Sequence, residues 1–247
     1  KASFHIYSGS FGKKWFGFAQ NIIPETAALV FDKNESLTVN DLEIGNDFDL
    51  IAITQNETSN ATQVTNDTIA AIGNKYPDKM LAIDTTSSMA GIFLDFSLAD
   101  IWYASVQKCF GLPAGLGILI VSPKAIERAK AKGEKGRYNS LNFMLENAAN
   151  YQTHYTPNVL NIYLLNRVLA DLPNIAKVNA KTEERMRILE EIVEQSPALD
   201  FLVSNEATRS RTVLGVGGEE KFIKQIKAEA EEQGMQMGSG YGPLKPT

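Results

Sequence analysis

The sequence predicts a layered α/β fold built on a mostly parallel sheet. Three observations predict it. Short apolar segments alternate with helical ones through the first half, helical periodicity takes over after Pro123, and the chain closes on a strand-like and then an amphipathic stretch. In order, strands are expected at SFHIYS (3–8), AALVFD (27–32), DLIAITQ (49–55), KMLAID (79–84), IWYASV (101–106) and LGILIVS (116–122). Between them lie helical stretches KKWFGFAQNI (13–22) and NDTIAAIGNKY (66–76), the second with Asn66 or Asp67 as its N-cap. From PKAIERAKAKG (123–133) to EERMRILEEIVEQ (183–195) the apolar residues recur at helical spacing, and VLNIYLLNRVLADL (159–172) is the most apolar helix. RTVLGVGG (211–218) reads as a strand and EEKFIKQIKAEAEEQGM (219–235) as a helix, so a large domain over 1–196 and a smaller α+β unit over 197–247 are expected.

Composition narrows the function. With 247 residues, 44% of them hydrophobic and 21% charged, the chain is long enough for a sizeable core and is neither disordered nor collagen-like. A net charge of -5 gives no basic footprint for nucleic acid or an anionic membrane, which leaves small-molecule chemistry as the expectation. No apolar run approaches the ~20 residues of a membrane span, and KASFHIYSGS lacks a signal-peptide pattern, so a cytoplasmic location is expected. A single cysteine, Cys109, with two histidines, His5 and His154, supports neither an internal disulfide nor structural zinc. The chain starts at Lys1 and stops at GYGPLKPT, and it reads as cut at both ends.

Two residues invite chemistry. Lys108, in SVQKCFGLPAGLG (105–117), stands between strand-forming residues and a glycine-rich turn. A lysine that loses its proton is a nucleophile towards carbonyl carbon, and partial desolvation favours that loss; the alternative is a side chain that reaches solvent from a strand edge. Asp84, in MLAIDTTSSMAG (80–91), ends an apolar strand, where open α/β sheets bind ligands. A carboxylate there suits the ring nitrogen of pyridoxal phosphate, which it keeps protonated so that the ring accepts electrons. Equally, Asp84 caps the turn formed by Thr85, Thr86, Ser87 and Ser88.

The pairing of IDTTSSMAGIFLDF with YASVQKCFGLPAGLG resembles the class V aminotransferases, which are pyridoxal-phosphate enzymes of fold type I. In that family an aspartate binds the pyridine nitrogen, and a Ser-x-Gln-Lys run about two dozen residues on carries the Schiff-base lysine. The separation from Asp84 to Lys108 is 24 residues. The resemblance implies a sheet of the seven-stranded type with flanking helices, and pyridoxal 5'-phosphate as cofactor. GSFGKKWFGFA resembles the segment bearing the ring that stacks on the cofactor, which implies Phe11; core packing is its other reading. TQNETSN resembles the Asn-Glu-Thr segment of the phosphoserine-type branch and implies that the Thr58 hydroxyl bonds the cofactor's ring oxygen. Gln107 takes the place of a phosphate ligand. HYTPNVLNIYLL resembles the segment that crosses a dimer interface to the neighbouring subunit's phosphate, with Thr156 at that position or else as an N-cap.

The terminal GSGYGPLK extends the likeness to the phosphoserine-type branch. It implies a homodimer with shared sites that moves an amino group between glutamate and 3-phosphohydroxypyruvate. The family's glycine-rich phosphate loop would precede Lys1, and its carboxylate-binding arginine would follow Thr247. Two further readings stay open: an alanine or serine transaminase acting on glyoxylate, and a non-catalytic protein that keeps the fold. A cysteine desulfurase is disfavoured, because Cys109 adjoins Lys108 rather than lying well downstream.

Overall fold

The computed structural model describes residues 1–244. In chain order the elements are β1 (Ala2–Tyr7), α1 (Ser10–Ile22), β2 (Ala27–Val30), β3 (Phe48–Thr54), β4 (Asn56–Glu57), β5 (Thr62–Gln63), α2 (Asn66–Lys75), β6 (Met80–Asp84) and β7 (Ile101–Ser105). They continue with β8 (Gly117–Val121), α3 (Pro123–Lys132), α4 (Leu141–Ala148), α5 (Val159–Asp171), α6 (Ile175–Gln195), β9 (Leu199–Phe201), β10 (Val216–Gly218) and α7 (Glu220–Glu232).

The main sheet runs β2-β1-β3-β6-β7-β8. Its first five strands are parallel and β8 returns antiparallel to β7. Among the described residues it therefore has six strands rather than seven. FDLIAIT in β3 and MLAID in β6 are apolar on both faces because helices cover both faces of the sheet. Register sorts the side chains into two sets. Ile6, Ile53, Ile83 and Trp102 lie in one row, and Leu81, of the same parity, meets Gly73 of α2. The opposite face carries His5 and Tyr103, both packed edge-on against Trp15 of α1. The isoleucine row is wholly buried, each side chain contributing about 1.5–3 kcal/mol of transfer free energy.

Three boundaries differ from the sequence reading. α2 is capped by Thr65, whose hydroxyl accepts the Thr68 N–H, and not by Asn66 or Asp67, which are already helical. α1 begins at Ser10, so Phe11 lies in its first turn. Strand structure in RTVLGVGG is confined to Val216–Gly218, paired antiparallel with a three-residue strand, β9, that the apolar pattern did not reveal. Near this small sheet, buried Arg209 stacks on Phe201 at 3.8 Å and binds Glu190 of α6 at 2.7 Å.

Candidate active site

The carboxyl edge of the sheet collects polar side chains that its interior excludes. Thr54 and Asp84 end β3 and β6 side by side, and Asp84 is in register with Tyr103, the middle residue of β7. Asp84 accepts the Thr86 N–H at 2.9 Å and the Tyr103 hydroxyl. Burial pushes its pKa above the ordinary carboxylate value and the Glu57 charge adds to the rise, while the bonds from Thr86 and Tyr103 oppose it. Burial, and then the Asp84 charge, push the Tyr103 phenol far up, so it remains a donor. Two buried oxygens at this edge, Thr54 Oγ1 and Asn56 Oδ1, have no hydrogen-bond partner among the described residues.

Phe11 reaches the same edge through a cap that is remote in sequence. Gly9, at the N-cap of α1, offers no side chain, and Glu57 replaces it. The fully buried Glu57 carboxylate accepts the backbone N–H of Phe11 at 3.1 Å, that of Gly12 at 2.9 Å, and both Ser59 donors. The close approach requires glycine: a Cβ at Gly12 would stand 2.2 Å from Tyr7 Cβ. The Phe11 ring is left 37% exposed, and half-buried Thr58 lies in the turn that holds Glu57.

Lys108 lies three residues beyond the end of β7, in a turn with Gln107, and its side chain is exposed rather than partly desolvated. Its amine makes no hydrogen bond or ion pair among the described residues. The backbone around it is fixed: the Gly111 N–H donates to the Lys108 carbonyl at 2.9 Å, and Gly111 takes φ +69, which favours glycine. Cys109 donates to the Ser87 carbonyl at 3.3 Å and ties the lysine turn to the loop after Asp84. Burial pushes its thiol up, opposed by the Lys108 charge. Gln107 accepts from the Ser105 hydroxyl.

On the far side of the glycine-rich loop, buried Asn161 of α5 donates to the carbonyls of Pro113 and Ala114 at 3.2 and 3.3 Å. Thr156 is exposed and is not the cap of α5; that cap is Asn158, which accepts the Asn161 N–H. Glu57 thus bonds the backbone of Phe11, adjoins Thr58 in sequence and acts on Asp84 only as a like charge, while the turn of Lys108 and Gln107 is tied through Cys109 to Ser87, in the loop after Asp84. Thr156 makes no hydrogen bond to any of them. Glu57, Tyr103 and Thr54 were missed from sequence. The signal for Tyr103 was its strand parity, and Glu57 was visible only as the neighbour of Thr58.

The aminotransferase class-V family profile matches residues 23–246. The chain belongs to the class V aminotransferases. This class V chain is 29% identical over 230 residues to a phosphoserine aminotransferase of Rhodococcus opacus, covering 89% of the chain and 60% of that relative. A putative phosphoserine aminotransferase of Mycobacterium sp. (strain KMS) is 32% identical over 169 residues, 67% of this chain and 44% of its own length. The chain therefore spans about three fifths or less of these relatives. The crystal structure of a phosphoserine aminotransferase from Cytophaga hutchinsonii superposes with a TM-score of 0.92 at 31% identity, over 99% of this chain and 70% of that one. An aspartate aminotransferase from Thermus thermophilus shares the fold at TM-score 0.85 and 19% identity, over 99% of this chain and 70% of that one.

Proposed function

We propose that this class V aminotransferase binds pyridoxal 5'-phosphate at the edge formed by β3, β6 and β7 and transfers an amino group between glutamate and 3-phosphohydroxypyruvate. The observation that carries the reading is the pairing of Asp84 at the end of β6 with the partnerless amine of Lys108, 24 residues on and just past the neighbouring strand. The donor set fits the cofactor. A carboxylate with a pKa raised by burial gains from a protonated ring nitrogen, and Thr54 Oγ1 and Asn56 Oδ1 nearby have no hydrogen-bond partner among the described residues. When bound, the group supplies an electron sink for the carbon that loses or gains the amino group.

The chain's own residues do the rest. Asp84 holds the ring nitrogen's proton, and the Tyr103 hydroxyl holds Asp84. Phe11 covers a ring face and excludes water from it. Thr58 donates to the ring oxygen, and Gln107 binds the phosphate. The Lys108 amine would hold the cofactor and, when free, would carry a proton to and from the substrate carbon at Nζ. Thr156 serves the phosphate of a second subunit. Exposed Val159, Leu160, Ile162 and Tyr163 beside it favour a homodimer with shared sites. The names of the relatives support the phosphorylated substrate, and we assign the enzyme to the cytoplasm.

The test is an absorbance spectrum of the full-length protein and its Lys108→Ala variant with pyridoxal phosphate, then glutamate, then a 2-oxo acid. A visible band in the parent alone, bleached by glutamate and restored by 3-phosphohydroxypyruvate, is the expected result. Restoration by glyoxylate and not by the phosphorylated acid would overturn the substrate. No band would overturn the cofactor assignment.

A further inference from the structure

The backbone of Phe11 is held by Glu57, but its ring has a single aromatic neighbour among the described residues, and that neighbour comes from the other end of the chain. The rings of Phe11 and Tyr241 stand 5.0 Å apart between centroids, tilted by 30°. Lys14, one turn on from Phe11 in α1, donates to the Tyr241 hydroxyl at 2.7 Å and lies 5.4 Å from one ring centroid and 5.3 Å from the other. Lys14 has no carboxylate partner among the described residues, so the two rings and the hydroxyl are its polar environment. The segment that brings Tyr241 here turns at Gly242, with φ +59, and closes with the Leu244 N–H on the Tyr241 carbonyl.

We propose that Tyr241 is a positioning residue for Phe11. It packs on the ring and is tied to Lys14, so it holds the ring in the orientation a flat cofactor needs and couples the 238–244 segment to cofactor binding. The inference rests on the reading of Phe11 as the stacking ring. An exposed phenylalanine ring with no such neighbour samples several rotamers, and ordering it on binding costs free energy. Tyr241 removes that cost in advance. It makes no bond with the reacting atoms.

The test uses the full-length polypeptide, stripped of cofactor and titrated with pyridoxal phosphate. Dissociation constants come from visible absorbance, and the visible circular-dichroism band of the bound cofactor is recorded. Phe11→Ala, Tyr241→Ala, Tyr241→Leu, Tyr241→Phe and Lys14→Met are compared with the parent. Tyr241→Ala and Tyr241→Leu are expected to weaken binding about two- to tenfold, as an aromatic pair does, and to diminish the dichroic band. Tyr241→Phe should recover most of both, with Lys14→Met between. Bound cofactor should slow amide exchange over 238–244 in the parent and not in Tyr241→Leu. Weakened Phe11→Ala beside parental Tyr241→Ala and Tyr241→Leu would overturn the positioning role and leave the stacking role intact. A Phe11→Ala variant that binds like the parent would overturn both.

Discussion

The Tyr103 hydroxyl bonds the Asp84 carboxylate across adjacent parallel strands, at positions paired in register. The contact places a neutral donor on a carboxylate whose pKa burial has raised. A folded-state pKa above the unfolded value means that the folded protein binds more protons in the window between the two. Asp84 thus costs stability as pH rises through that window.

Asp84→Asn removes this cost and keeps an oxygen for the Thr86 N–H. The cofactor-free variant should melt no lower than the parent at pH 7, with a flatter stability profile in the acid range. Its affinity for pyridoxal phosphate should fall at least about tenfold, or about 1.4 kcal/mol, because an amide cannot hold the ring nitrogen's proton. Equal affinity by spectroscopic titration would contradict the role assigned to Asp84.

Glu57→Gln tests the remote cap of α1. Losing a buried carboxylate that accepts four donors at a helix start should lower stability by about 1–3 kcal/mol, measured by denaturant unfolding. It should also lower the pKa of Asp84, since the Glu57 charge contributes to its rise. A parental unfolding midpoint would mean that the α1 start is held by other contacts.

His5 lies on the α1 face, with burial holding its pKa down at about 4. The unfolded chain takes up a proton near pH 6.5 that the folded chain refuses until about 4. Stability is therefore full above the unfolded value and falls as pH drops through this window, by up to about 3 kcal/mol. His5→Asn should flatten that slope in a melting series from pH 7 to 4.5, at some cost in packing on Trp15 and Phe16. An unchanged slope would assign the acid sensitivity elsewhere.

Asn161→Ala removes both side-chain bonds to the Pro113 and Ala114 carbonyls. Amide exchange across 111–117 should accelerate, and stability should fall by about 1–2 kcal/mol. If only α5 loosens and the loop keeps its protection, the anchoring role is wrong.

The strands of the sheet were legible because parallel strands covered on both faces are continuous apolar runs, as in β3 and β6. Asp84 and Lys108 stood out as candidates because they sit in two short motifs 24 residues apart. The early start of α1 was not, because its capping carboxylate is Glu57 and not a neighbour. Tyr103 gained its place from cross-strand register, and Thr65 displaced Asn66 and Asp67 as a cap through the orientation of one hydroxyl. β9 escaped because three residues with a central aspartate make too short a pattern. The exposure of Lys108 depends on where β7 ends, which an unbroken IWYASV does not reveal.

The antiparallel return of β8 also orders events during folding. Within the main sheet it is the one pairing closed by a short connection, residues 106–116, whereas each parallel pair waits for a longer crossover. The β7–β8 hairpin is therefore the lowest-contact-order pairing of the sheet, and the turn carrying Lys108 is expected to take shape before the parallel strands are assembled. Pulse-labelled exchange during refolding should find Trp102, Ala104, Ile118 and Ile120 protected ahead of β1 and β2, and the reverse order would refute it.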